Sequence, residues 1–256
     1  MANSIEGVAS LQVRVWRVEL DVGADAEERL REKLAPDEMA RAEGFANARG
    51  RRRFVVARGT LRTLLGGLLE ERPQTLPIEA GPGGKPRLAD AELRLHFNVS
   101  HSGDLALICI AEGFEVGVDL ERLRPVPSGV EIAKRRFATA EARFVEKGGT
   151  TDGDRRFLLC WTRKEALAKA MGSGLSFDLL SFAVPLEETG GIVSLGTPGD
   201  GRRQRWLLLD VPIGSKYVAA LALPAMDTPL TAPSSSTLTA ASVQLDHCEE
   251  IDVRSY

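Results

Sequence analysis

The sequence predicts an α+β fold made of two similar halves. Helical patterns are followed by antiparallel-type strand patterns, and this order occurs twice along the chain. At 256 residues the chain is also long enough to bury a sizeable core, either as one large domain or as two small ones. The halves are expected at residues 1–114 and 115–225. Beyond Pro224 the composition turns to Thr, Ser, Ala and Pro, so residues 226–256 are expected to form a disordered tail.

The elements follow in order. Residues 11–18 alternate in polarity and read as a first strand. Residues 26–34 read as a helix, and a longer one is expected over 49–69. There Phe54, Ala57, Leu61, Leu64, Leu65 and Leu68 recur at helical spacing, leaving Arg49, Arg51, Arg52, Arg53, Arg58 and Arg62 to the other face. Pro73 and Pro77 end the pattern, and residues 81–86 are a Gly- and Pro-rich loop. The polar segment 97–103 precedes an apolar strand at 105–111. After a turn at Gly113, residues 115–120 read as a strand bearing Asp119, with Glu121 just beyond. In the second half helices are expected near 130–137, 140–147 and 154–171, and strands near 192–195, 205–211 and 217–223.

A net charge of −3 with 27% charged residues argues against a dedicated nucleic-acid binder. No apolar run approaches the ~18 residues of a membrane span, and no positive-then-apolar leader opens the chain, so the expected compartment is the cytoplasm. Cys109 and Cys160 fall in apolar runs and read as buried small hydrophobes; Cys248 is the odd third cysteine.

Four segments carry chemistry. Asp119 and Glu121 sit two apart on a strand, which points both carboxylates to one side about 6–7 Å from each other. Gly117 leaves room beside them. Mg²⁺ suits such a pair, because it takes a few carboxylates and leaves its other positions to water and phosphate. Glu165 and Lys169 sit four apart on the strongest helix, on one face; the plain alternative is a helix ion pair. The Gly84-Lys85-Pro86 loop is no Walker motif, because Pro86 stands where Ser or Thr is needed, yet it can offer a lysine and open amides to an anion. Ser100 and His101 are adjacent on an extended segment and point to opposite faces, so they are no nucleophile–base pair; with Asn98 they suit the binding of polar or phosphate groups.

The order and spacing of four motifs resemble one family. They are Gly84-Lys-Pro-Arg-Leu, Phe97-Asn-Val-Ser-His-Ser-Gly, Gly117-Val-Asp-Leu-Glu and Trp161-Thr-Arg-Lys-Glu-Ala-Leu-Ala-Lys-Ala-Met-Gly-Ser-Gly-Leu-Ser. Together they are similar to the Sfp-type 4′-phosphopantetheinyl transferases, over roughly residues 11–224. The resemblance implies a monomer of two α+β halves with the active site in the cleft between them. It implies transfer of the phosphopantetheine arm of coenzyme A to a serine of an apo acyl- or peptidyl-carrier protein, releasing adenosine 3′,5′-bisphosphate. By motif, Asp119, Glu121 and Glu165 look like Mg²⁺ ligands, with Glu165 also a general base and Lys169 steadying the pyrophosphate. Gly84, Lys85, Pro86 and Arg87 look like the adenine and ribose-phosphate loop. Ser100 and His101 are expected near the 3′-phosphate with one of Arg49, Arg53 or Arg58, and Asn98 and Lys164 complete the expected cofactor contacts. The carrier is expected to land near Arg135, Arg136 and Phe137. Two other classes fit the residues alone: another Mg²⁺-dependent nucleotide-pyrophosphate enzyme, and a non-catalytic module binding carriers or coenzyme A.

Overall fold

The computed structural model describes residues 13–172, 178–186, 189–196, 203–225 and 249–250. The chain runs β1 (Val13–Glu19), α1 (Ala24–Arg31), α2 (Pro36–Glu43), α3 (Ala48–Leu69), β2 (Ile78–Ala80), β3 (Pro86–Leu88), β4 (Leu95–Ser102), β5 (Leu105–Glu112) and β6 (Gly117–Arg122). It continues with α4 (Gly129–Arg136), α5 (Thr139–Lys147), α6 (Gly149–Ala170), β7 (Gly190–Gly196), β8 (Arg203–Asp210), β9 (Tyr217–Pro224) and β10 (Glu249–Glu250). One four-stranded sheet has the order β10-β1-β5-β4 and the other β6-β9-β8-β7, while β2 and β3 form a small hairpin. All pairings are antiparallel except β1 with β10.

The layers explain the sequence pattern. Strand β5 is apolar throughout because both of its faces are covered. Ala106, Ile108 and Ile110 pack with Val55, Leu61 and Leu65 of α3 on one side. Leu105, Leu107, Cys109 and Ala111 meet Val118, Leu120, Leu221 and Leu223 of the second sheet on the other. The outer face of the second sheet is closed by α6, with Ala166, Leu167 and Ala170 against Trp206, Leu208 and Ala220. The order is thus helices, sheet, sheet, helix. No helix among the described residues is long and apolar enough to cross a membrane. Cys109 and Cys160 are buried free thiols, and burial pushes each up to about 12.

Helix α2 is an addition to the sequence reading. It spans only eight residues and starts at Pro36, with Glu38 accepting from the Ala35 amide at 3.1 Å. Its function is to bury Glu38 against α3, where Arg62 pairs with it. Arg62 is therefore buried although it belongs to the arginine face of the helix: it is 1% exposed and also donates to the carbonyls of Pro73 and Leu76. The expected tail lies outside the described residues, apart from Glu249 and Glu250 beside β1. Leu11, the expected start of the first strand, lies outside them too.

Gly117 sets the distance between β6 and α6. A Cβ there would stand 2.1 Å from the Ala166 carbonyl oxygen and 2.3 Å from the Ala170 nitrogen. The room that the sequence suggested beside the two acids is thus filled by the backbone of α6 itself. Replacing Gly117 with Ala should cost roughly 3 kcal/mol or more, at or beyond the upper end for overpacking. Denaturant unfolding measures this, and an unchanged midpoint would show slack between strand and helix.

Candidate active site

The two sheets meet at β4 and β6 without forming a ladder. Side chains of β4 accept from the free backbone edge of β6 instead: Asn98 Oδ1 from Val118 N at 2.9 Å, Ser100 Oγ from Leu120 N at 3.2 Å, and Ser102 Oγ from Arg122 N at 3.0 Å. The period of two in β4 meets the period of two in β6. The same hydroxyls donate onward, Ser100 to Asp119 Oδ1 at 2.8 Å and Ser102 to Glu121 Oε2 at 2.9 Å. Val118 and Leu120 turn into the core between the sheets, so Asp119 and Glu121 share the other side.

Helix α6 brings Glu165 and Lys169 to these acids. Lys169 does not pair with Glu165, and the plain helix ion pair is not formed. Its ammonium donates to Asp119 Oδ1 at 2.6 Å and to Ser100 Oγ at 3.0 Å. Among the described residues Glu165 has no hydrogen-bond or ion-pair partner. Burial first, then the charge of Asp119, raises its pKa, with Glu121 adding and Lys169 opposing. Asp119 is 5% exposed, and its Oδ2 is buried with no partner. An orphaned carboxylate oxygen, next to two further acids whose charges repel, is the chemistry a hard cation satisfies. Asp119, Glu121 and Glu165 are therefore the residues that fit Mg²⁺. They are not drawn into a closed ligand set, since no three acid, His or Cys side chains among the described residues enclose a metal position.

Beside this cluster, between α3 and β4, lies a cleft of about 540 Å³. Its lining includes Arg53, Arg58, Gly84, Pro86, Asn98 and His101. Arg58 Nη1 and Arg53 Nε are buried without partners. Burial draws the Arg58 pKa below its ordinary value despite Glu38 nearby. His101 is also held below the ordinary imidazole value, first by desolvation and then by Lys169 and Arg53. Buried donors and cations on one wall suit a phosphate. Phe45 and Phe54, with ring centres 5.4 Å apart, add an aromatic wall.

Known transferases are similar to this chain in sequence. The 4′-phosphopantetheinyl transferase HetI of Nostoc sp. is 35% identical over 214 residues, covering 83% of this chain and 87% of that protein. The chain belongs to the 4′-phosphopantetheinyl transferase superfamily. The model of that superfamily matches residues 115–222. Transferase ffp of Bacillus subtilis is 33% identical over 62% of the chain and 75% of its own length. Transferase Sfp of Bacillus subtilis is 25% identical over 70% of the chain and 80% of its own length.

The transferase departs from the motif reading at several residues. Lys164 is no cofactor contact: it is fully buried, 2.9 Å from Glu141 and bonded to the carbonyls of Leu179 and Phe182. Lys85 turns away from this cleft. Its ammonium bridges Glu115 at 2.6 Å, the Val116 carbonyl at 2.9 Å and the Ala170 carbonyl at 3.4 Å, tying the loop to the strand side and the helix side of the β6–α6 contact. His96 first, and Lys85 with it, hold Glu115 down to about 2. Arg87 is exposed and paired with Glu79, and Arg49 is exposed on Asp104, so neither lines the cleft. Of the adjacent pair, Ser100 faces the acids and His101 the cleft. Asn98 lines the cleft, but its oxygen is committed to the seam. Phe137 is buried in the core and offers no landing surface, whereas Arg135 and Arg136 beside it are exposed. Residues 173–176, the end of the fourth motif, lie outside the described residues. Glu38, Arg41 and Phe45 escaped the sequence reading, and Phe54 was read only as part of the apolar face of its helix; Pro36 followed by Asp37 and Glu38 was the available helix-start signal.

Lys164→Met takes the only cation paired with it from the buried Glu141 and leaves it the Ala138 and Val184 amides, so the transferase should lose about 3–5 kcal/mol of stability. Calorimetry on the folded variant should meanwhile give an unchanged affinity for coenzyme A. For His101, a phosphate beside the ring favours the charged form and raises its depressed pKa. Near pH 6.5, the ordinary value, coenzyme A binding should therefore take up a proton and weaken as pH rises. Titrations in buffers of different ionisation enthalpy would show this uptake, and His101→Ala should remove it.

Proposed function

We propose that this transferase moves the 4′-phosphopantetheine arm of coenzyme A to a serine of an apo acyl- or peptidyl-carrier protein, releasing adenosine 3′,5′-bisphosphate in an Mg²⁺-dependent reaction. The observation that carries this reading is the adjacency of two sites: the cationic cleft with its buried arginine donors, and the acids joined by Lys169. A molecule with a phosphorylated nucleoside at one end and a pyrophosphate in its middle fits both together.

Each residue then has a task. Arg53, Arg58 and His101 hold the 3′-phosphate, with Gly84 and Pro86 along the nucleotide. Lys169 meets the pyrophosphate and the negative charge that builds on the departing phosphate. Glu165 takes the proton of the carrier serine; its raised pKa moves it toward the working range of a general base. Asp119, Glu121 and Glu165 hold Mg²⁺, which supplies charge neutralisation on phosphate oxygens when bound. Ser100 and Ser102 aim Asp119 and Glu121. In this reading residues 1–114 supply the nucleotide cleft and 115–225 the acids. The exposed Arg135 and Arg136 are where an acidic carrier docks, and the enzyme works as a monomer in the cytoplasm.

Incubation with coenzyme A, Mg²⁺ and a panel of apo-carriers, followed by weighing the carriers, tests the reaction; a gain of one phosphopantetheine per carrier is expected. Glu165→Gln and Lys169→Met should each lower kcat by orders of magnitude with little change in melting temperature. Their losses should be far from additive in the double variant, because both act on one transition state. Active single variants would remove both residues from the mechanism.

A further inference from the structure

In this structure Asp119 is paired with a cation of the protein itself. The Lys169 ammonium lies 2.6 Å from its Oδ1, which also accepts from Ser100 at 2.8 Å, so one oxygen is saturated while the other is buried and bare. Asp119 and Ser100 are fixed: both belong to the seam between the sheets, and Ser100 is pinned by the Leu120 amide. Lys169 is not fixed to the same degree, since its side chain is 29% exposed on a four-carbon stem. Its pairing with Asp119 is also a choice against its helix neighbour Glu165, one turn away on the same face.

We propose that Lys169 acts as a built-in counter-cation that competes with the metal for Asp119, and that the pyrophosphate of coenzyme A draws it off. The free enzyme then binds a divalent ion weakly, and coenzyme A binding completes the metal site. This rests on the assignment of Asp119 as a metal ligand made above. A dication arriving at Oδ2 faces an ammonium on the neighbouring oxygen of the same carboxylate, and like charges this close disfavour each other. The pyrophosphate offers Lys169 a partner with more charge than a single carboxylate already shared with Ser100. By linkage the effect is reciprocal: the metal tightens coenzyme A by the factor by which coenzyme A tightens the metal.

Mn²⁺ titration followed by the electron paramagnetic resonance of the free ion tests the proposal without turnover. Wild type should bind Mn²⁺ weakly alone, and Lys169→Met or Lys169→Gln should bind it roughly 5–150-fold more tightly, the usual span of a coupling between two sites. Coenzyme A should tighten Mn²⁺ in wild type by more than it does in either variant, where only direct phosphate contacts to the ion remain. Mn²⁺ affinity equal to or weaker than wild type in both folded variants would overturn the competition while leaving the metal assignment standing. Undiminished Mn²⁺ binding to Asp119→Asn with coenzyme A present would overturn that assignment, and this proposal with it.

Discussion

Asn98, Ser100 and Ser102 hold together two sheets that share no ladder. Each offers one oxygen to the β6 edge, and the net gain of about 1 kcal/mol per bond understates their importance. Without them three edge amides, two of them on buried residues, would lack partners, and each would cost about 1–3 kcal/mol. The seam also fixes where the acids stand, because the hydroxyls that accept from β6 are the ones that donate to Asp119 and Glu121. Stability and site geometry thus depend on the same atoms. Gly117 adds the second constraint by letting α6 lie against β6, so that Lys169 reaches Asp119 from the opposite side.

Charge is sorted inside this frame by burial. The fourth motif presents Arg163, Lys164, Glu165 and Lys169 within seven residues. Arg163 goes to Asp210 at 2.8 Å and Lys164 to Glu141 at 2.9 Å, both with almost no exposure of the cation. These pairs hold the segments around Pro185 and Phe182 onto α6. Only Glu165 and Lys169, half-buried, face the acid cluster. The framework charges brace the helix that presents the working ones.

The sequence made most elements legible because their apolar periodicity is long: α3 and α6 run 22 residues each, and β5 is apolar on both faces. Helix α2 escaped, since two turns leave little period to read. Site residues were legible by type and less so by direction. Asp119, Glu121, Glu165 and Lys169 are gathered as their spacing suggested, and His101 and Ser100 do face opposite ways. Lys85, Lys164 and Arg62 went elsewhere because a long cation's target is a tertiary fact: each finds buried carboxylates or carbonyls from segments distant in sequence. The same holds for the arginine run, where Arg52 braces α1 through Glu27 while Arg53 and Arg58 line the cleft.

The cargo of this enzyme ends in a thiol, which exchanges readily with any thiolate or disulfide it meets. Cys109 and Cys160 are sealed in the core and burial pushes each up to about 12, so both stay thiols at neutral pH. Neither can enter mixed disulfides with coenzyme A or with a freshly loaded carrier arm. Packing that fills the space between the sheets therefore also keeps these two side chains chemically silent toward the group being handed on.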